Sequence, residues 1–128
     1  MRVLADTNLF IKFCRRLPVP AIVERVFSLP ETERCLSSIL VFELFRLWQA
    51  WRVPANPDTW LESALAAWTV LPMTVAIARQ SALWEWEDRD PADRLISATT
   101  KVEKVELWHI DTVLKKLHGF PAQYFTNA

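Results

Sequence analysis

The sequence predicts an α/β fold with three layers, in which helices cover both faces of a central, mostly parallel sheet. Short apolar runs alternate with segments of helical periodicity, as expected when each strand is followed by a helix. No Asn-Gly or Asp-Gly pair marks a hairpin, which favours parallel neighbouring strands. A chain of 128 residues also fits one core, and we expect a single domain over 1–128.

The first elements are predicted from apolar spacing and from the prolines. The run at 2–5 predicts a strand that ends at Asp6, and apolar residues at helical spacing then predict a helix over 9–14. A second helix is predicted over 21–29, because Pro30 cannot continue it.

The middle of the chain contains the longest predicted helix. A short strand is expected over 34–37, and Ser38 is placed to cap a helix over 39–51, a segment without glycine or proline. After a proline-rich connector, apolar residues on one face predict a helix over 58–68, followed by a brief strand over 70–73.

The last third is predicted mainly from capping residues. Thr74 can cap a helix that runs to about 85, and Asp90 with Pro91 can begin a helix that runs to about 101. The remaining predicted elements are a strand over 105–110, a helical piece over 112–117 that ends at Gly119, and an edge strand over 123–126.

The charge balance limits the ways in which the chain could bind nucleic acid. Fifteen basic residues match fifteen acidic ones, so the chain lacks the positive footprint of a protein that holds duplex DNA. Local contacts to a nucleic-acid backbone are still open to Lys12, Arg15 and Arg16, which follow Asp6 closely. A solvated helix face explains these three residues equally well.

Composition also indicates the cellular compartment. The apolar runs are too short for a membrane span, and Asp6 comes too early for a secretory signal, so we expect a cytoplasmic protein. Cys14 and Cys35 each lie alone in an apolar stretch, which predicts buried thiols rather than a disulfide. Seven tryptophans exceed what a small core readily hides, and some could face a protein partner.

Four acidic residues are candidates for chemistry, and three of them have an ordinary explanation. Asp6 and Asp111 both follow a predicted strand, and the carboxyl ends of parallel strands meet at one crevice. Each could equally cap the helix that it precedes, and Asp93 could favour the positive end of a helix. Glu43 lies inside an apolar helix, where the remaining explanations are an ion pair with Arg46 or simple exposure.

The chemistry of this set is that of a site for a hard cation. Clustered carboxylates with no histidine or cysteine at ligand spacing suit Mg²⁺ or Mn²⁺, which could activate water against a phosphodiester. His109, within an apolar strand, is interpreted as a core residue. The sequence has no glycine-rich phosphate loop, no dinucleotide fingerprint and no G-x-S-x-G nucleophile motif.

Four segments then resemble the motifs of the PIN-domain family, and specifically its VapC-type toxins of toxin–antitoxin pairs. Segment 3–11 reads VLADTNLFI, segment 37–44 reads SSILVFEL, and segment 90–98 reads DPADRLISA. Segment 107–111 reads LWHID, with larger residues before its acid than the family usually has. The resemblance covers nearly the whole chain.

The resemblance implies a function and a set of site residues. It implies a Mg²⁺- or Mn²⁺-dependent endoribonuclease that cleaves single-stranded or structured RNA, with Asn8 and Asp90 supporting the site. It also implies a homodimer and an antitoxin partner whose tail covers the site. The residues implied to be catalytic and to bind the metal are Asp6, Glu43, Asp93 and Asp111.

An apolar groove beside the acids could receive that antitoxin. The aromatic residues that suggest it follow one another along the Glu43 helix, although all of them could instead belong to the core. They are Phe42, Phe45, Trp48 and Trp51.

Two other functions are compatible with the sequence. Asp6 could be phosphorylated in a phosphotransfer protein, although a dehalogenase-like pattern would place a second aspartate where this chain has Asn8. A non-catalytic interaction module could keep the fold and use its tryptophan surface for a partner.

Overall fold

A computed structural model of the chain describes residues 1–88 and 90–126 and contains one five-stranded sheet. The strand order is β3-β2-β1-β4-β5, and all four pairings are parallel. The predicted parallel sheet is therefore confirmed. The strands are β1 (Arg2–Ala5), β2 (Glu33–Ser37), β3 (Thr69–Leu71), β4 (Glu106–His109) and β5 (Ala122–Tyr124).

Helices connect these strands. The first four α-helices are α1 (Thr7–Cys14), α2 (Ala21–Phe27), α3 (Ser38–Gln49) and α4 (Leu61–Leu65), with a 3₁₀ turn at Pro57–Thr59 before the last of them. The remaining three are α5 (Val75–Leu83), α6 (Pro91–Glu103) and α7 (Thr112–Lys115).

The core lies on both faces of the sheet because successive strand residues point to opposite sides. In β1, Val3 and Ala5 belong to one apolar cluster, whereas Leu4 belongs to another. In β4, Trp108 packs in the first cluster and Leu107 in the second. Both faces are therefore covered, and the predicted three-layer α/β/α architecture is confirmed.

The first cluster is rich in aromatic rings and accounts for several tryptophans. Trp68 packs edge-on against Phe10, with ring centroids 5.0 Å apart, and against Phe27, at 5.7 Å. Trp108 stacks on Phe27 at 5.8 Å, which explains how the β4 segment accommodates a large residue before its acid. Burying such rings is among the largest apolar contributions to a core of this size.

Two predictions about the middle of the chain were wrong. The predicted helix over 58–68 is a 3₁₀ turn followed by the short helix α4, because Trp60, with φ −140°, breaks the helical path between them. The predicted cap Ser38 is the first residue of α3. Ser37 caps α3 by accepting a hydrogen bond from the Ile39 N–H, and the Ser38 hydroxyl accepts one from the Met73 N–H.

The parallel register determines which segments lie together at the carboxyl edge of the sheet. Ala5, the last residue of β1, is paired with Trp108 of β4, and the Asp6 N–H donates to the Trp108 carbonyl at 3.1 Å. The segments that follow β1 and β4 therefore emerge side by side. None of the helices in the described parts of the chain is long and apolar enough to cross a lipid bilayer.

Candidate active site

A cavity of about 80 Å³ lies at the carboxyl ends of β1 and β4 and contains all four predicted acids. The carboxylates come from the ends of two strands and from the helices α3 and α6. The structure thus brings together side chains as far apart in the sequence as Asp6 and Asp111. The lining residues are Asp6, Thr7, Asn8, Glu43, Leu47, Asp93, Ile96, Asp111 and Leu114.

Asp6 caps α1 and also faces the cavity. Its Oδ1 accepts a hydrogen bond from the Leu9 N–H at 2.8 Å, and its side chain also accepts one from the Ile110 N–H. The pKa of Asp6 is raised to about 7, mainly by burial; the charges of Asp111 and Glu43 act in the same direction, and the two amide hydrogen bonds oppose them. Asp6 can therefore cap α1 and contribute a carboxylate to the cavity at the same time.

Glu43 is half-buried in α3 and receives a hydrogen bond from the Thr7 hydroxyl. Burial raises its pKa, the Thr7 hydrogen bond opposes that effect, and the charges of Asp90 and Asp111 add to it. The predicted alternative of an ion pair with Arg46 is not formed. Within residues 1–88 and 90–126 the one salt bridge joins Arg2 to Glu33.

Thr7 is a site residue that the sequence analysis did not single out. It is buried, lines the cavity and holds Glu43 through its hydroxyl group. Its position in the D-T-N segment, directly after the first acid, was the available signal. That signal alone could not show which carboxylate the hydroxyl would meet.

Asp93 lies at the most acidic corner of the cavity. Burial raises its pKa to about 8, with Asp90 and then Asp88 as the next causes. Asp88 was also missed, although the acidic run 88–93 contained it. Its Oδ1 accepts a hydrogen bond from the Asp90 N–H at 3.0 Å, which fixes its carboxyl near Asp93.

Asp111 has both of the roles considered for it. Its Oδ1 accepts a hydrogen bond from the Val113 N–H at 2.7 Å and so caps α7, while its side chain lines the cavity. Its own N–H donates to the His109 Nδ1 at 3.2 Å. His109 is buried beside Tyr124, as expected for a core residue, and burial lowers its pKa.

The two supporting residues are placed differently. Asn8 is exposed and lines the cavity. Asp90 does not line it: its Oδ1 caps α6 by accepting a hydrogen bond from the Ala92 N–H at 2.9 Å. Asp90 acts on the site through its charge, which raises the pKa values of Asp93 and Glu43.

The donor set fits a hard divalent cation in its chemistry. The site offers carboxylate oxygens, and burial followed by their mutual repulsion raises the pKa values of Asp6 and Asp93. A bound cation would relieve that repulsion. As they stand, no three acidic, histidine or cysteine side chains of the described residues converge closely enough to hold a metal ion.

Of the basic residues suggested for RNA, Arg16 lies elsewhere. Arg16 lines a separate cavity of about 500 Å³, together with Cys14, Glu24 and Arg34. That cavity shares none of its lining residues with the acidic cavity. It lies at the carboxyl end of α1, whereas the acids gather at the amino end.

Comparison with protein families identifies the architecture. The profile of the PIN domain matches residues 3–119, a span that includes the four acids. The chain belongs to the PIN-domain family. The resemblance drawn from the sequence motifs is thereby confirmed at the family level, and no curated protein sequence gives a match to this PIN domain.

Several solved structures share this fold. A chain of Rickettsia felis VapBC2, bound to a DNA fragment from their promoter, is similar with a TM-score of 0.75 and 14% identity, over 98% of this chain and 99% of that one. A chain of DNA-bound VapBC from Salmonella typhimurium has a TM-score of 0.73 and 18% identity, over 97% and 98%. A chain of FitAcB from Neisseria gonorrhoeae has a TM-score of 0.59 and 27% sequence identity, over 86% of this chain and 88% of that one.

Proposed function

We propose that this PIN domain is a divalent-metal-dependent endoribonuclease that acts as the toxin of a toxin–antitoxin pair. One observation carries the proposal: four carboxylates from distant parts of the chain line a single cavity at the carboxyl edge of the sheet. Membership of the PIN-domain family supports a nuclease, because the PIN domains of VapC toxins are generally nucleases.

In this proposal, Asp6, Glu43, Asp93 and Asp111 would hold Mg²⁺ or Mn²⁺. When bound, such an ion supplies a water of lowered pKa and offsets negative charge on the phosphodiester. Thr7 orients the Glu43 carboxylate, and Asn8 offers a polar side chain at the cavity rim. In the proposed reaction, the scissile phosphate would lie beside these carboxylates.

The partners are proposed from the solved neighbours. VapBC and FitAB structures are complexes, and one similar structure is described as a toxin–antitoxin complex from Klebsiella pneumoniae. We therefore infer that a cognate antitoxin binds this chain and covers the cavity. A homodimer is part of the same proposal, and an interaction module without catalysis is its rival.

The test is cleavage of a labelled single-stranded RNA by purified protein whose mass under native conditions shows no bound partner. The wild type should cleave the RNA with Mg²⁺ or Mn²⁺, and chelator should stop the reaction. Asp6→Asn should lower the cleavage rate at least a hundredfold, which corresponds to a rise of roughly 3 kcal/mol in the activation barrier. Asp58→Asn makes the same chemical change at an exposed position outside the cavity and should cleave normally.

A second readout does not depend on turnover. Mn²⁺ should raise the Tm of the wild type, because it binds the folded state alone, and should raise that of Asp6→Asn much less. Equal cleavage by Asp6→Asn, or full activity in chelator, would refute the metal-dependent reaction. Stable labelling of Asp6 by a phosphoryl donor would instead favour phosphotransfer, and inert protein that binds Mn²⁺ and a partner would favour the interaction module.

A further inference from the structure

The helix α3 extends from the acidic cavity to a second cavity. Glu43 and Leu47 line both of them, and the second has a volume of about 490 Å³. The two cavities are therefore contiguous along one side of α3. The other lining residues of the second cavity are Arg46, Gln49, Ala50 and Arg52.

This second cavity is cationic, although the whole chain has no net charge. Arg46 and Arg52 are exposed, and neither takes part in a salt bridge within the described residues. The Arg46 guanidinium lies over the Phe42 ring, 5.7 Å from its centroid, which limits the orientations available to it. Two available guanidinium groups beside the carboxylates are suited to the phosphates that flank a scissile bond.

Trp51 lies between Arg46 and Arg52 in the chain, directly after Ala50 of the second cavity, and is 92% exposed. It occupies a left-handed backbone conformation, with φ +60°, just after the end of α3. The Trp51 N–H donates to the Trp48 carbonyl, and the Arg52 N–H donates to the Leu47 carbonyl. This is the Schellman ending of a helix, in which the left-handed position usually belongs to glycine.

Neither packing nor backbone geometry accounts for a tryptophan at this position. An exposed indole gains almost none of the burial energy of a core tryptophan, and the left-handed conformation disfavours any residue with a Cβ. The remaining property of the side chain is a large, flat ring exposed to solvent, on the residue that precedes Arg52 in the chain. Unpaired RNA bases stack on such rings, and this stacking tolerates any base.

We propose that Trp51, Arg46 and Arg52 form an RNA-binding subsite next to the acidic cavity, in which the arginines contact backbone phosphates and Trp51 stacks on an unpaired base. The inference rests on the proposed ribonuclease function and adds the region of the surface that would bind the RNA. It requires single-stranded RNA at this position, because a paired base cannot offer its face to the indole ring.

The experiment measures binding of a fluorescent single-stranded oligoribonucleotide to Asp6→Asn protein, which should bind without cleaving. In that background, Trp51→Ala should weaken binding about tenfold, and Trp51→Phe should retain most of the affinity. Arg46→Gln and Arg52→Gln should each weaken binding and reduce the salt dependence, by about 0.7 in log–log slope for each lost phosphate contact. Val75→Ala, at another exposed apolar position on α5, should change nothing.

Trp51→Gly separates binding from folding. Glycine relieves the left-handed conformation, so the Tm should rise by roughly 3 °C while RNA affinity falls. A purely structural role would move both quantities in the same direction. Unchanged RNA affinity in Trp51→Ala and Trp51→Gly would overturn the proposal. It would do so even if those variants lost binding to a protein partner, because Trp51 would then serve that partner and not RNA.

The two proposals fail in different ways. If wild-type protein does not cleave RNA but Asp6→Asn binds it through Trp51, the ribonuclease function fails and the subsite remains. If wild-type protein cleaves RNA and Trp51→Ala has the same KM and affinity, the subsite fails and the ribonuclease function remains. If no RNA binds to either protein, both proposals fail.

Discussion

Asp6 shows how one residue can satisfy a helix and a reaction site together. Its carboxylate caps α1 through the Leu9 N–H, and the same carboxylate lies beside Asp111 and Glu43 in the cavity. A buried carboxylate among other carboxylates is costly to ionise. Keeping Asp6 charged at this position therefore lowers the free energy of unfolding, and this cost can be measured.

The first prediction concerns this cost. Because the folded state raises the pKa of Asp6 to about 7, the charged form disfavours folding. This penalty is absent at low pH, grows as the pH rises above the unfolded value of about 4, and is complete above about 7. Without divalent cations, Asp6→Asn should therefore be more stable than wild type at pH 8, by on the order of 2 to 4 kcal/mol.

Urea unfolding in chelator at several pH values measures this difference. The advantage of Asp6→Asn should disappear below about pH 4, since Asp6 is then protonated in both the folded and the unfolded state. Asparagine keeps the side-chain oxygen that caps α1, so the cap is not a confounding loss. A variant that is less stable than wild type at pH 8 would contradict the prediction.

At the scale of elements, Arg94 organises the segment between α5 and α6. Its guanidinium donates to the carbonyls of Ser81 and Asp88, each at 2.9 Å, and also to those of Trp84 and Trp86. The rings of the two tryptophans are stacked, with centroids 4.1 Å apart. One side chain next to Asp93 therefore shapes the loop that carries the acidic run.

The second prediction is that Arg94→Met destabilises the fold by about 2 to 4 kcal/mol, because several carbonyls lose a charged donor. The exciton band of the stacked tryptophans in circular dichroism should weaken as the loop opens. Arg94→Lys should lose most of the same signal, since an ammonium group cannot reproduce the fork of donors.

Arg79→Met on the exposed side of α5 is the matched control. It removes the same charge and leaves the loop intact, so its Tm and exciton band should equal those of the wild type. An Arg94→Met protein with an unchanged exciton band would show that the stacking is independent of Arg94.

For the whole molecule, the thiols report on the integrity of the core. Cys35 lies in β2 within the second apolar cluster and is fully buried. Cys14 is half-buried against the first cluster, and burial raises its pKa to about 11. The two thiols therefore lie on opposite sides of the sheet, and both are free.

The third prediction is that neither thiol reacts readily with an aromatic disulfide reagent in the native state. At pH 8 a thiol of this pKa is ionised roughly two hundredfold less than an ordinary one, so Cys14 should react correspondingly slowly. Cys35 should react only as fast as the protein unfolds globally. The single variants Cys14→Ala and Cys35→Ala assign the two phases, and rapid labelling of Cys35 in folded protein would contradict the compact core.

Local sequence patterns determined most elements of this protein. Proline positions and capping residues placed α2, α5 and α6, since those signals act within one turn of the chain. Motif context identified the four acids that the cavity contains. The broken helix around Trp60 was missed, because its continuous apolar face resembles that of a single helix.

Only the tertiary structure decided which side chains act on one another. The strand order places the ends of β1 and β4 side by side, and α3 then brings Glu43 to the Thr7 hydroxyl. The sequence suggested Lys12, Arg15 and Arg16 for RNA because they follow Asp6, yet Arg16 lines a separate cavity. Arg46 lies beside the acids instead. Sequence patterns report on residues that are neighbours along the chain, whereas a charge acts on any group that the packing brings within a few ångströms of it.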